Sequence, residues 1–184
     1  MAIIGLLGFG FVTSWVFGRE YMDHTIKDML ALPVSRTSIV MAKFLLIALW
    51  CILLSVIMLA AGIAVGFGLG VVEWELLMRS NYINHFFITA FLTILLITPV
   101  GFMASYGRGV ILPIAFIIIT LLLSQFITLT GLGPYFPWAI PGINTVAPGT
   151  EGMDLTTVSY IILAVTCLFG LFGTLTYWLT ADQH

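Results

Sequence analysis

The fold is decided by the apolar run IVMAKFLLIALWCILLSVIMLAAGIAVGFGLGVV, which occupies residues 39–72. At 1.5 Å per residue, about 34 residues of helix measure about 50 Å, whereas the hydrocarbon core of a bilayer is about 30 Å thick. A helix over this run is therefore long enough to cross a membrane and to extend beyond it. Lys43 lies near its beginning, and we expect Lys43 and Arg36 to stand at the membrane border and pair with lipid phosphates.

Four further runs have the length and apolar character of a membrane span, at residues 1–17, 85–106, 109–130 and 156–180. The 184 residues are 61% hydrophobic and 8% charged, against about 25% charged residues in a soluble domain. Unpaired backbone groups are costly in lipid, so these runs must be helical. The sequence predicts an all-α polytopic integral membrane protein with five transmembrane helices. Because residue 1 begins directly in apolar sequence, we expect a preceding span, and six spans in a complete form.

The cations predict the orientation of these spans. Five of the six Lys and Arg residues fall on one side, namely Arg19, Lys27, Arg36, Lys43 and Arg108. The loops at residues 73–84 and 131–155 hold the remaining cation, Arg79. Since positive residues favour the cytoplasmic side, we expect residues 18–38 in the cytoplasm and both loops outside the cell.

The segment at residues 18–38 is predicted to contain a short amphipathic helix. On a helix over residues 20–32, one face carries the apolar side chains Met22, Ile26, Met29 and Leu30. Pro33 ends this helix, and Ser35 is placed to cap the next one. Two interpretations are open: the helix lies in the lipid headgroup layer, or it docks into a groove on a partner protein.

Small residues recur at helical spacing in two spans, at Gly10, Ser14 and Gly18 and at Gly62, Gly66 and Gly70. Such patterns let helix backbones approach closely. The second set either packs inside the subunit or forms the seam of a dimer. We also expect Pro99 and Pro113 to kink the third and fourth spans.

Residues that could carry chemistry are scarce in these spans. The three histidines are His24 in the segment, His85 at the edge of the third span and the terminal His184, and no hydrolase, zinc or phosphate-loop motif is present. We therefore predict no catalytic residue, no metal site and no cofactor bound by this chain. A net charge of −2 is unsuited to nucleic acid.

A family resemblance adds to this interpretation. The residues REY at 19–21, TIKDMLALPVSR at 25–36 and then Lys43 resemble the signature of ABC-type-2 permeases, the membrane subunits of type-2 ABC exporters, and are most similar to permeases of bacitracin and lantibiotic transporters. His24 departs from the family, which often has glycine there. The resemblance implies docking of the coupling helix on a separate ATPase that binds ATP and magnesium. The residues it assigns to that coupling are Glu20, Thr25, Ile26, Met29, Leu30, Pro33 and Arg36.

The resulting hypothesis is a permease subunit of the cell membrane that exports an amphipathic molecule, such as a peptide antibiotic or a lipid-like drug. Its expected partners are an ABC ATPase, a second permease subunit of the same or another kind, and membrane lipid. The alternatives are a membrane scaffold or immunity protein that sequesters a toxic peptide without ATP, and an intramembrane enzyme that uses His24 or His85.

Overall fold

The computed structural model describes residues 2–23, 25, 33–70, 82–145 and 155–180. The helices in these ranges are α1 (Ala2–Met22), α2 (Arg36–Gly68), α3 (Tyr82–Leu95), α4 (Ile97–Tyr106), α5 (Ile111–Leu129), a 3-10 helix (Gly133–Tyr135), α6 (Ile140–Ile143) and α7 (Thr157–Thr180). Five stretches are long and apolar enough to cross a membrane: α1, α2, α3 together with α4, α5, and α7. The predicted all-helical membrane protein with five spans is confirmed over the described ranges.

Charged side chains collect at one end of these helices, which we call the basic end. It contains the C-terminal end of α1, the beginning of α2, the turn at residues 107–110 and the C-terminal end of α7. Hydrogen bonds and close backbone contacts join these parts. At the other end, which we call the opposite end, the beginning of α1 lies beside the last turns of α5 and beside α6.

The first helix is longer than its apolar run. α1 continues to Met22, whereas the sequence predicted a span that ends at residue 17. Residues 18–22 are therefore the last turn of α1 and do not begin a separate amphipathic helix. Arg19, in this last turn, pairs with Asp23 just beyond the helix, at 2.9 Å.

The beginning of α2 agrees with its predicted cap. Ser35 has an extended backbone and its hydroxyl accepts a hydrogen bond from the Ser38 N–H at 3.2 Å. This bond satisfies one of the free N–H groups of the first turn. Pro33 lies two residues earlier in an exposed bend, so the chain turns sharply into α2.

The third span is interrupted at Leu96, between α3 and α4. Pro99 has no N–H to donate to the Leu95 carbonyl. Hydrogen bonds from the Thr98 hydroxyl and the Cys167 thiol, each at 3.1 Å, reach that carbonyl instead. A Cβ on Gly170 would lie 2.3 Å from the Pro99 nitrogen. The interruption is therefore fixed against α7, and only glycine permits the close approach.

The prediction that Pro113 kinks the fourth span is wrong, because α5 is one continuous helix. Pro113 is the third residue of α5, where a backbone N–H has no acceptor within the helix. A proline in the first turn of a helix therefore costs no hydrogen bond. Pro113 helps to begin α5 and leaves its course unchanged.

The two sets of small residues have different surroundings. In α1, a Cβ on Gly10 would lie 2.3 Å from the Ile117 side chain, and one on Gly18 would lie 2.7 Å from the Gly109 backbone. In α2, a Cβ on Gly62 would meet no described atom within 4 Å. The α1 set therefore packs against α5 and the turn before it, whereas Gly62 faces open space in the single chain.

Candidate functional site at the basic end

Within the predicted segment at residues 18–38, we call residues 24–35, which connect α1 to α2, the coupling segment. The structure describes its two borders. Glu20 lies in the last turn of α1, and the Thr25 N–H donates to the Glu20 carbonyl at 3.1 Å. Pro33 is exposed, and Arg36 is the first residue of α2. Ile26, Met29 and Leu30, the apolar residues predicted to contact the ATPase, lie outside the described residues. The structure thus places the segment between two helix ends that meet at the basic end.

Lys43 joins these two helices through a partly buried ion pair. Its side chain is 8% exposed, and its ammonium group contacts a carboxylate oxygen of Glu20, which is 25% exposed. The ammonium also donates to the Val16 carbonyl at 3.2 Å and lies 5.1 Å from the centres of the Phe17 and Trp178 rings. A buried charge needs such compensation, because it has lost its hydration.

This geometry corrects the expectation that Lys43 pairs with lipid phosphates. Lys43 points into the helix bundle, where Glu20 neutralises it. Arg36 donates a hydrogen bond to the Trp178 carbonyl at 3.1 Å. That carbonyl belongs to the last turns of α7, where the helix dipole and the unpaired carbonyls attract a cation.

Trp178 is the largest fully buried side chain among the described residues. Its indole N–H donates to the Ser105 hydroxyl of α4 at 3.0 Å, and its ring lies edge-on to Tyr21 of α1. Together with the contacts to Lys43 and Arg36, these interactions let Trp178 touch α1, α2 and α4 from its position on α7. We call Glu20, Arg36, Lys43, Ser105 and Trp178 the junction.

The turn at residues 107–110 also belongs to the basic end, where it contacts α1 at Gly18 and α7 at Tyr177. Arg108 has a φ of 48°, a left-handed conformation that is strained for a residue with a Cβ. A hydrogen bond and a charge interaction with Tyr177 raise the pKa of Arg108 above its already high ordinary value. Arg108 therefore lies beside the last turn of α7, which contains Tyr177.

A groove lies between α1 and α5 and extends from the middle of these helices towards the opposite end. A cavity of about 380 Å³ is lined by Leu7, Gly8 and Phe11 of α1 and by Ile114, Ile117 and Ile118 of α5. Nearer the opposite end, a cavity of about 510 Å³ reaches Gln125 and Thr128 of α5 and Trp138 of the following loop. The groove is mostly apolar, with an exposed carboxamide at Gln125.

The glycines predicted to form a packing face or dimer seam are not all on one helix. Gly62 and Gly66 lie in α2, but α2 ends at Gly68. Gly70 follows in a turn with a φ of 65°, a conformation that glycine adopts without strain. The last buried residue of α2 is Ser55, so the helix surface around Gly62 remains uncovered in the single chain.

Sequence reasoning did not assign Lys43 and Trp178 to the site. A signal for Lys43 was available, because a lysine one to two turns inside a span needs a partner of opposite charge. The preceding segment offered three acids, Glu20, Asp23 and Asp28, and the structure shows that Glu20 is the partner. Trp178 gave no comparable signal, since tryptophan near a span end is ordinary. Over the described residues, no group of three His, Cys, Asp or Glu side chains could hold a metal ion.

Comparison with known proteins identifies relatives of this chain. The family model described as "ABC-2 family transporter protein" matches residues 1–125. The bacitracin transport permease protein BCRB of Bacillus licheniformis is 31% identical over 186 residues, covering 99% of this chain and 87% of that protein. No solved structure gives a significant match.

Proposed function

The chain belongs to the ABC-2 family of transporter permeases, and from that premise we propose that it lines an export pathway driven by a separate ATPase. In this proposal two permease subunits pair, and each docks on an ATPase subunit that binds ATP and magnesium. ATP binding closes the ATPases, pulls on the coupling segments and changes which side of the pathway is open. The main observation in support of the proposal is that both borders of the coupling segment are held by contacts at the basic end.

The proposed orientation places the basic end in the cytoplasm. The cations Arg19, Arg36, Lys43 and Arg108 all belong to this end. Cytoplasmic segments of membrane proteins are enriched in such residues. The segment at residues 24–35 then faces the compartment that contains ATP.

The proposed contact with the ATPase uses the apolar face of that segment. Ile26, Met29 and Leu30 would insert into a groove of the partner, which is how amphipathic helices generally bind proteins. Glu20, Thr25, Pro33 and Arg36 would set the direction of the segment. Their described positions in and beside the ends of α1 and α2 support this role.

The proposed substrate is an amphipathic peptide antibiotic of the bacitracin type. The apolar groove between α1 and α5 supports an apolar ligand surface, and Gln125 offers a hydrogen-bonding group at its edge. The name of the B. licheniformis relative specifies bacitracin as its cargo.

Bacitracin tolerance of the native host tests this function. The measurement is the bacitracin concentration that stops growth of a strain without this chain, of that strain with the chain restored, and of the restored strain with an inactivated partner ATPase. We expect protection only in the strain that has both the chain and an active ATPase. Protection that persists without ATP hydrolysis would instead support the immunity or scaffold alternative. An unchanged tolerance on deletion would overturn bacitracin as the substrate.

A further inference from the structure

We infer that Lys43 and Trp178 are positioning residues that make both borders of the coupling segment move together and pass this motion to α4 and α7. This inference rests on the proposed function, because it assigns a mechanical role to residues behind the docking surface. Neither residue belongs to the segment itself.

The first step of the argument is where the two borders attach. Glu20 precedes the segment and binds Lys43 of α2. Arg36 follows the segment and binds the carbonyl of Trp178 on α7. Lys43 lies 5.1 Å from the ring of the same Trp178. The two attachments therefore converge on one residue, and neither border can be displaced without disturbing it.

The second step is the direction in which a displacement would travel. Trp178 donates to Ser105 of α4 at 3.0 Å, and α4 leads through the turn at residues 107–110 into α5. α5 forms one wall of the groove, whereas α1, which carries Glu20, forms the other. A displacement of the coupling segment therefore reaches α1 through Glu20 and α5 through Trp178, Ser105 and the turn at residues 107–110.

The third step separates this role from simple stabilisation. A buried ion pair can often be replaced by packed apolar side chains without loss of stability, because the replacement avoids the cost of dehydrating two charges. The double variant Glu20→Met/Lys43→Met keeps side chains of similar length but removes the directed attraction. Arg19→Gln is the matched control, since the exposed Arg19–Asp23 pair lies on the same helix end.

The experiment uses the complex of the tagged chain with its co-purified ATPase, reconstituted in native host lipids. Gln125→Cys, introduced into every sample, supplies an exposed thiol in the groove, while Cys51 and Cys167 are buried. The rate of maleimide labelling is measured without nucleotide and after trapping with ATP and vanadate. This readout needs no transported substrate, and the chain without Gln125→Cys gives the background.

We expect trapping to change the labelling rate of the reporter by at least about fivefold, a typical size for coupling between sites. Glu20→Met/Lys43→Met should bring that ratio close to one while the ATPase still co-purifies, and Arg19→Gln should preserve it. Trp178→Phe, which keeps an aromatic ring but lacks the N–H donor to Ser105, should reduce the ratio.

The outcomes distinguish the inference from the proposed function. An unchanged ratio in the double-methionine variant would overturn the inference while leaving the function in place. Loss of the complex in that variant, with a parental ratio in Trp178→Phe, would assign the pair to folding alone and also overturn it. A reporter that shows no nucleotide dependence in the otherwise unaltered chain would count against the proposed function itself.

Discussion

The two ends of the molecule differ in how their polar and apolar side chains are packed. At the basic end, every cation among the described residues has a partner, and Trp178 connects four helices. At the opposite end, α2 has no buried residue after Ser55, and the groove between α1 and α5 is open. In the proposed account, the first end moves as one unit, and the second receives the transported molecule. A coupled permease needs both properties.

The largest effect that would sharpen this comparison is expected from Trp178→Ala. Truncating a fully buried tryptophan leaves a cavity and costs about 4 kcal/mol, and it also removes the donor to Ser105. Leu129→Ala is the control, because Leu129 lies at the opposite end and is 84% exposed. Thermal unfolding in detergent measures both. Similar losses in the two variants would mean that the basic end is not the better packed one.

The next largest effect is expected when the two ion pairs at the C-terminal end of α1, Glu20–Lys43 and Arg19–Asp23, are compared. Lys43→Met alone leaves the partly buried Glu20 carboxylate without its partner, and we expect this to cost about 3 kcal/mol. Arg19→Gln should cost less than about 1 kcal/mol, since that pair is exposed to solvent. The free energy of unfolding in denaturant compares them. Equal costs would show that burial of the Glu20–Lys43 pair has no energetic consequence.

A smaller effect distinguishes the two sets of small residues. Gly18→Ala would place a methyl group 2.7 Å from the Gly109 backbone and should cost about 2 kcal/mol through overpacking. Gly62→Ala meets open space and should leave the unfolding temperature unchanged or raise it slightly, because alanine favours helix.

The same glycine also tests the predicted dimer seam. If a second subunit covers α2 at Gly62, Gly62→Leu should reduce cross-linked dimer without changing the stability of the single chain. Normal dimer formation in a stable Gly62→Leu variant would place the seam elsewhere.

The smallest effect is expected from Gln125→Leu in the groove. Loss of one hydrogen bond to a ligand corresponds to about 1 kcal/mol, or about fivefold in affinity. We therefore expect bacitracin tolerance to fall by up to this factor, with normal amounts of assembled complex. Tolerance equal to that of the parent would remove Gln125 from the ligand surface.

The helical architecture was predictable because each span is marked by its own sequence. A long apolar run must form a helix in lipid whatever its neighbours are, and Ser35 caps α2 through a contact with a residue only three positions away. The end of α1 was harder to predict from the sequence. The apolar run ends before Gly18, whereas the helix continues to Met22.

The junction was not predictable from local pattern. Lys43 and Trp178 are separated by most of the chain, and their proximity depends on how α2 and α7 pack. The same applies to Gly170, whose contact with Pro99 exists only once α4 lies against α7. The family resemblance pointed to Glu20 and Arg36, and the structure places both residues in the junction, while their role in coupling stays a prediction.

Docking of residues 24–35 on an ATPase is the central claim, and recovery of that ATPase tests it most directly. The tagged chain, Leu30→Asp and the control Leu129→Asp are purified from detergent-solubilised membranes of the native host, and bound proteins are identified by mass spectrometry. We predict that an ABC ATPase accompanies the parent and Leu129→Asp and is absent from Leu30→Asp, because a carboxylate cannot enter an apolar groove without a partner. An ATPase recovered equally with Leu30→Asp, or with none of the three, would contradict the account.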